Sequence, residues 1–128
     1  MKKMFLLFSH KLTDAQVLDA QKSHAIDEFV ELPNNLKQLW GSFSPYAKSI
    51  KPSLREIIDF LDKNATKDDC VLIQGDFGAT TLMVSYSLKA GLIPLYATTI
   101  RNSNDIKKDG KIIKTSIFEH VQFRKYEL

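Results

Sequence analysis

The chain has 128 residues, 44% hydrophobic and 26% charged, with 18 basic and 15 acidic side chains for a formal net charge of +3. That length sets one domain over residues 1–128, with enough chain to bury a core unaided. A single cysteine, Cys70, excludes an internal disulfide and a cysteine-built metal cluster, and the modest charge falls short of the basic stripe usual in duplex-DNA binders.

Met4-Phe5-Leu6-Leu7-Phe8 reads as a buried strand that ends in Ser9-His10-Lys11. The Met1-Lys2-Lys3 opening hints at a secretory signal, but the apolar run is too short and is interrupted before any cleavage site. No stretch approaches the length of a membrane span, so the expectation is a cytoplasmic protein with no membrane partner. Thr13-Asp14-Ala15-Gln16 fits a capping box opening a helix, with Val17, Leu18, Ala20 and Ala25 as a weak apolar stripe. Phe29-Val30-Glu31-Leu32 predicts a short strand stopped by Pro33-Asn34-Asn35. Leu36, Leu39 and Trp40 then stand at helical spacing, with Trp40 read as core. Pro52-Ser53-Leu54-Arg55-Glu56 offers a second capping box, and Leu54, Ile57, Ile58 and Leu61 repeat at i, i+3, i+4 and i+7, the clearest helical pattern in the chain.

After a turn at Lys67-Asp68-Asp69, the unbroken apolar run Cys70-Val71-Leu72-Ile73-Gln74 suits a strand covered on both faces, as in a parallel sheet. Gly75-Asp76-Phe77-Gly78 leads into an apolar helix over residues 79–90, with Gly91 as its stop signal. Residues 92–97 form the next buried strand. Asp109-Gly110 is a hairpin turn signal, and Val121 and Phe123 alternate with Gln122 and Arg124 in a terminal strand. Strands alternating with helices predict a three-layer α/β sandwich with a mainly parallel sheet and a C-terminal β-hairpin.

Ligands of such sheets bind outside the carboxyl ends of the strands. The expected edge therefore gathers Ser9, His10 and Lys11, then Gln74 through Gly78, then Thr98, Thr99 and Arg101. One imidazole, two cations, hydroxyls, an amide and a glycine-lined helix start suit a phosphate-bearing ligand. Both ends of the chain are basic around a slightly acidic middle, which fits a small anion held between them or a plain solvated surface. Each residue also has a structural reading. Gly75 and Gly78 would permit a tight turn, Asp76 would cap the helix, and His10 would close a strand end. No lysine follows the glycines at Walker spacing, and the dinucleotide fingerprint is absent. His24 reads as helix-terminal and His120 as surface; with no HxH or HExxH spacing, no metal site is expected.

The segments "FLLFSHKLTDAQ", "LPNNLKQLW", "VLIQGDFGATTLMV" and "GLIPLYATTIR" together resemble the small Csx-type proteins of type III CRISPR systems, relatives of the CARF-type Rossmann-like sensors. The resemblance runs from about Met4 to Tyr126. It implies a Rossmann-like homodimer that takes a cyclic oligoadenylate, with ring nucleases among its members and no cofactor or metal in their chemistry. It also implies a role in antiviral defence. Carried onto this chain, it places ligand contacts at Ser9, Gln74, Gly75, Asp76, Phe77, Gly78, Thr98 and Thr99, with His10, Lys11 and Arg101 as the catalytic candidates. His10 would move a proton, while Lys11 and Arg101 would bind phosphate as a ribose 2′-hydroxyl attacks its neighbouring phosphate in line. A protein that captures the same messenger without cutting it needs the same contacts. A nucleic-acid-binding regulator working through the basic C-terminal segment is the third reading, with steeply salt-dependent binding as its mark.

Overall fold

Two apolar runs of the chain form Lys3–Leu7 (β1) and Cys70–Ile73 (β3), which lie side by side and parallel at the centre of a five-stranded sheet. This is a computed structural model; it describes residues 1–128, with the side chains of all but residues 103, 104 and 116. Glu28–Glu31 (β2) flanks β1, and Ile93–Lys108 (β4) flanks β3, both in parallel. Lys111–Lys125 (β5) closes the other edge antiparallel to β4, giving the order β2-β1-β3-β4-β5. The architecture is α/β with a mostly parallel sheet and a C-terminal antiparallel hairpin, compatible with a Rossmann-like fold.

Period-two alternation divides the sheet between two cores. Phe5, Leu7, Val71 and Ile73 point to one face, where they meet Leu36 and Trp40 of α2 (Asn34–Gly41), Ile57 and Leu61 of α3 (Arg55–Asn64), and Ala79, Met83 and Val84 of α4 (Phe77–Lys89). Met4, Leu6, Cys70, Leu72, Leu95 and Phe123 point to the other, covered by Ala20 of α1 (Asp14–His24) and by Ile26. Every residue of β3 is buried, as an unbroken apolar run requires. At its head, the buried carboxylate of Asp69 accepts from the Lys3 and Thr66 amides and the Thr66 hydroxyl, so no oxygen is stranded.

The local signals hold in part. Thr13 and Gln16 form the expected capping box, and Gly91, with φ of +77°, follows α4. Asp109 and Gly110 both take positive φ, as a two-residue type I′ hairpin turn demands. The second capping box does not form: Lys51–Leu54 is a 3₁₀ turn with Pro52 near its start, running into α3 with no side-chain cap. On α1 the buried positions are Gln16 and Ala20, whereas Leu18 is exposed and Ala25 is the left-handed cap residue. The largest departure is in β4. Instead of a short strand ending near Ala97, one strand of 16 residues runs through into the hairpin, because Asp109-Gly110 lets β5 pair with it along its whole length. Among the described residues, no helix is long and apolar enough to cross a membrane.

Candidate functional site

The chain leaves β1 towards β2 on one side and later places β3 on the other. That reversal opens a crevice outside the carboxyl ends of β1 and β3. Its floor is built around Gln74. The Gln74 amide donates to the Leu7 carbonyl at 3.0 Å, its own carbonyl accepts from Trp40 Nε1 at 2.9 Å, and its Oε1 accepts from the Ala97 amide at 2.7 Å. One residue thus ties together β1, α2 and β4. Gln74 is expected to meet a ligand; its side-chain oxygen is occupied in this tie, which leaves the Nε2 amide for such a contact.

Gly75 is glycine because of Trp40. A Cβ there would stand 2.8 Å from Trp40 Nε1, closer than any side chain tolerates. Asp76 caps α4, its Oδ2 accepting from the Ala79 amide at 3.0 Å, so the structural reading of this carboxylate holds. Phe77, the first residue of α4, is 93% exposed. A Cβ on Gly78 would make only ordinary contact with Asp76 Oδ2 at 3.4 Å; its absence leaves the first turn of α4 open. Ser9 and His10 follow β1 and are exposed. The end of α2 lies beside them, since a Cβ on Gly41 would sit 3.7 Å from Ser9 Cβ. The His10 ring meets Phe8 edge to face at 5.4 Å, which holds the imidazole at the strand end.

The remaining expected residues are not gathered here. Lys11 lines a shallow cleft of about 330 Å³ with Leu6, Leu12, Val17, Phe29 and Glu31, towards the β2 edge. Thr98, Thr99 and Arg101 do not end a strand; they lie within β4, where consecutive side chains alternate between faces. Thr98 shares the α4 face, and its hydroxyl donates to the Gln122 carbonyl at 3.2 Å. Thr99 and Arg101 take the opposite face, where the Arg101 guanidinium lies 5.8 Å from the Phe118 ring centre. The expectation of one continuous edge through Arg101 is therefore corrected, because the hairpin carries β4 onward.

Two side-chain groups have no counterpart in the expected site. On the α4 face, Tyr96 and Tyr126 pack at 4.8 Å and Arg124 Nη1 donates to the Tyr96 hydroxyl at 3.0 Å. Tyr126 donates to the Ile73 carbonyl at 2.5 Å, at the carboxyl end of β3, and burial, with Tyr96 beside it, pushes its phenol pKa up. Spacing of two between Arg124 and Tyr126 was the available signal. On the α1 face the side chain of His120, expected at the surface, is only 5% exposed, with Nε2 2.7 Å from Asp19 Oδ2. A register shift between Thr98 and Thr99 leaves Val121 as the extra residue of a bulge and turns His120 under α1. Ser23 donates to the other oxygen of Asp19. Among the described residues no group of three or more potential ligands could hold a metal ion.

The chain matches the model of the "Uncharacterized protein MJ1673 family" over residues 2–124. It is 53% identical over 126 residues to "Uncharacterized protein MJ1673" of Methanocaldococcus jannaschii, an alignment covering 98% of each chain. No solved structure matches it. Similar along nearly its whole length to both, the chain belongs to the MJ1673 family.

Proposed function

We propose that this protein is a ring nuclease of the CARF-related kind, which binds a cyclic oligoadenylate, cyclic tetra-adenylate foremost, and opens it without a metal, so ending type III CRISPR signalling. The observation that carries this reading is the juxtaposition, at the β1/β3 crevice, of an exposed hydroxyl (Ser9), an exposed imidazole (His10), the open first turn of α4 and the exposed ring of Phe77. The Phe77 and Gly78 amides of the first turn of α4, which are not tied to Asp76 as those of Ala79 and Thr80 are, suit a phosphate, and an exposed aromatic ring gives an adenine a face on which to stack.

The chemistry belongs largely to the ligand. A ribose 2′-oxygen forms a bond to the adjacent phosphorus as the bond from phosphorus to the 5′-oxygen breaks. The products are a 2′,3′-cyclic phosphate and a 5′-hydroxyl. His10 delivers the proton to the leaving 5′-oxygen, Ser9 orients a phosphate oxygen, and water takes the proton of the attacking hydroxyl. General acid help of this kind is typically worth about 10²- to 10⁴-fold, and fixed alignment contributes further. Lys11 borders the site from the β2 side. In a two-fold homodimer, two copies of the crevice would face one symmetric ring.

The location of Lys11 and Arg101 away from the first turn of α4 favours a second reading, capture of the messenger without cleavage. Incubation of the protein with cyclic tetra- and hexa-adenylate in EDTA, at protein in excess over ligand, separates the two. The nuclease reading expects linear products ending in 2′,3′-cyclic phosphate, at a rate reduced at least about 100-fold in His10→Ala. Intact ligand that co-elutes with the protein supports capture. Intact ligand that does not bind sinks both.

A further inference from the structure

Past Leu95, the last residue of β4 paired with β3, the β4–β5 ribbon leaves the parallel sheet. From residue 100 to 119 every described side chain is exposed except that of Thr115. Yet the ribbon holds Ile100, Ile106, Ile112, Ile113, Ile117, Phe118 and Val121, each among the large apolar residues left open to solvent. A two-stranded ribbon alone in water is marginally stable, and an apolar patch of several hundred Å² on a monomer marks an interaction surface.

The register sorts these side chains. Ile100 lies opposite Glu119, Asn102 opposite Ile117, residue 104 opposite Thr115, Ile106 opposite Ile113, and Lys108 opposite Lys111. The described side chains of these five rungs share one face, because rungs two residues apart point the same way. Read from base to tip, the face carries an acid and isoleucine, an isoleucine, Thr115 at the centre, a pair of isoleucines, and two lysines.

We propose that this face is a self-complementary dimer interface, in which the arms of two copies of this chain lie antiparallel across a two-fold axis at the Thr115 rung. The axis brings base onto tip. Glu119 of one arm then meets Lys108 and Lys111 of the other, Ile117 meets Ile106 and Ile113, and Thr115 meets its own mate. An isologous contact needs this pattern of opposites placed symmetrically about a centre. Glu119 is held within its own arm by Asn102, whose Nδ2 donates to Oε1 at 3.1 Å, leaving Oε2 to face the lysines. The area also fits. Ile100, Ile106, Ile113 and Ile117 are 50%, 50%, 44% and 51% exposed, and together offer apolar surface on the order of 400 Å². A stable interface takes roughly 800 Å² from each partner, a little over half of it apolar. The proposal stands on the arm alone and is independent of the nucleotide reading.

Sedimentation of the full chain without ligand tests it. The expected result is a dimer, which Ile106→Glu or Ile117→Glu converts to monomer while the circular dichroism melt of the body is kept. Glu119→Lys is expected to weaken the dimer at least about tenfold, and joining it with Lys108→Glu and Lys111→Glu to restore it. Thr115→Cys, with Cys70 buried and silent, is expected to be cross-linked to its own mate by a short bifunctional maleimide. A monomeric wild type, including one whose arm instead captures linear RNA, overturns the proposal. So does a dimer indifferent to both glutamate variants, or a triple charge exchange that stays as weak as Glu119→Lys.

Discussion

In the body of the protein, the central strands β1 and β3 are four or five residues long and covered on both faces. The β4–β5 ribbon runs 16 and 15 residues and, beyond the His120 rung, leaves every described side chain but that of Thr115 exposed. The body draws its stability from burial of apolar area. The arm has only its turn and its cross-strand pairs, each worth roughly 0.2–1 kcal/mol. The two regions meet at a narrow seam where the Gln74 side chain holds the Ala97 amide and Asp19 holds His120 under α1. A change in the arm should therefore leave the body folded, whereas a cavity in the body should cost the whole chain its fold.

Phe5→Ala puts that difference to its strongest test. The ring is fully buried and packs edge to face on Phe60 at 6.2 Å, so its loss should cost about 3–5 kcal/mol. Ile113→Ala in the arm should cost less than about 1 kcal/mol in the same urea titration, run dilute enough to keep the chain monomeric. Equal shifts of the two midpoints would mean that the arm folds as part of the body.

The seam itself is sharpened by a pair of glycines. Gly75→Ala drives a Cβ into Trp40 Nε1 and disturbs the hydrogen bond to the Gln74 carbonyl, an overpacking worth about 1–3 kcal/mol. Gly78→Ala meets ordinary contacts and gains helix propensity, so it should be neutral or stabilise by up to about 1 kcal/mol. Differential scanning calorimetry of the two variants checks the order; a Gly78 variant that melts below the Gly75 one would reverse it.

What was legible in the sequence follows the same division. β1 and β3 announce themselves because a strand buried on both faces must be apolar at every position, and the caps at Thr13 and Asp76 because short polar side chains there satisfy helix amides. The position of Ser9 and His10 at the crevice follows from β1 alone. The length of β4 was not legible: its outer part, Thr98-Thr99-Ile100-Arg101, lacks the unbroken apolar signature and reads as the end of a strand. Pairing with β5, a contact distant in sequence, decides it. The same non-local cause hid His120. A bulge one residue long determines whether an imidazole in an alternating strand meets water or Asp19, and periodicity carries no mark of it.

Acidity probes the α1 side of the seam with the smallest expected effect. Burial holds the His24 imidazole below its ordinary value of 6.5; Lys2 and Lys125 act in the same direction, against Asp19 and a bond to the Phe123 backbone. Burial raises the Asp19 carboxyl, but its bonds from Ser23 and His120, with the charges of His120 and His24, outweigh that and leave it below 3.8. For each group the unfolded chain binds protons more readily than the folded one, so stability rises with pH through both titrations. The Asp19 contribution is complete above its unfolded value and is lost as pH falls through the folded one. The His24 penalty is absent well above pH 6.5 and grows as pH falls below it. Urea midpoints measured from pH 7.5 down to about pH 2 should therefore decline in two stages. His24→Gln should flatten the upper stage alone, and Asp19→Asn the lower one most. An upper stage that persists in His24→Gln would assign it to another group, and the imidazole packed on Phe123 would then be a spectator at the seam.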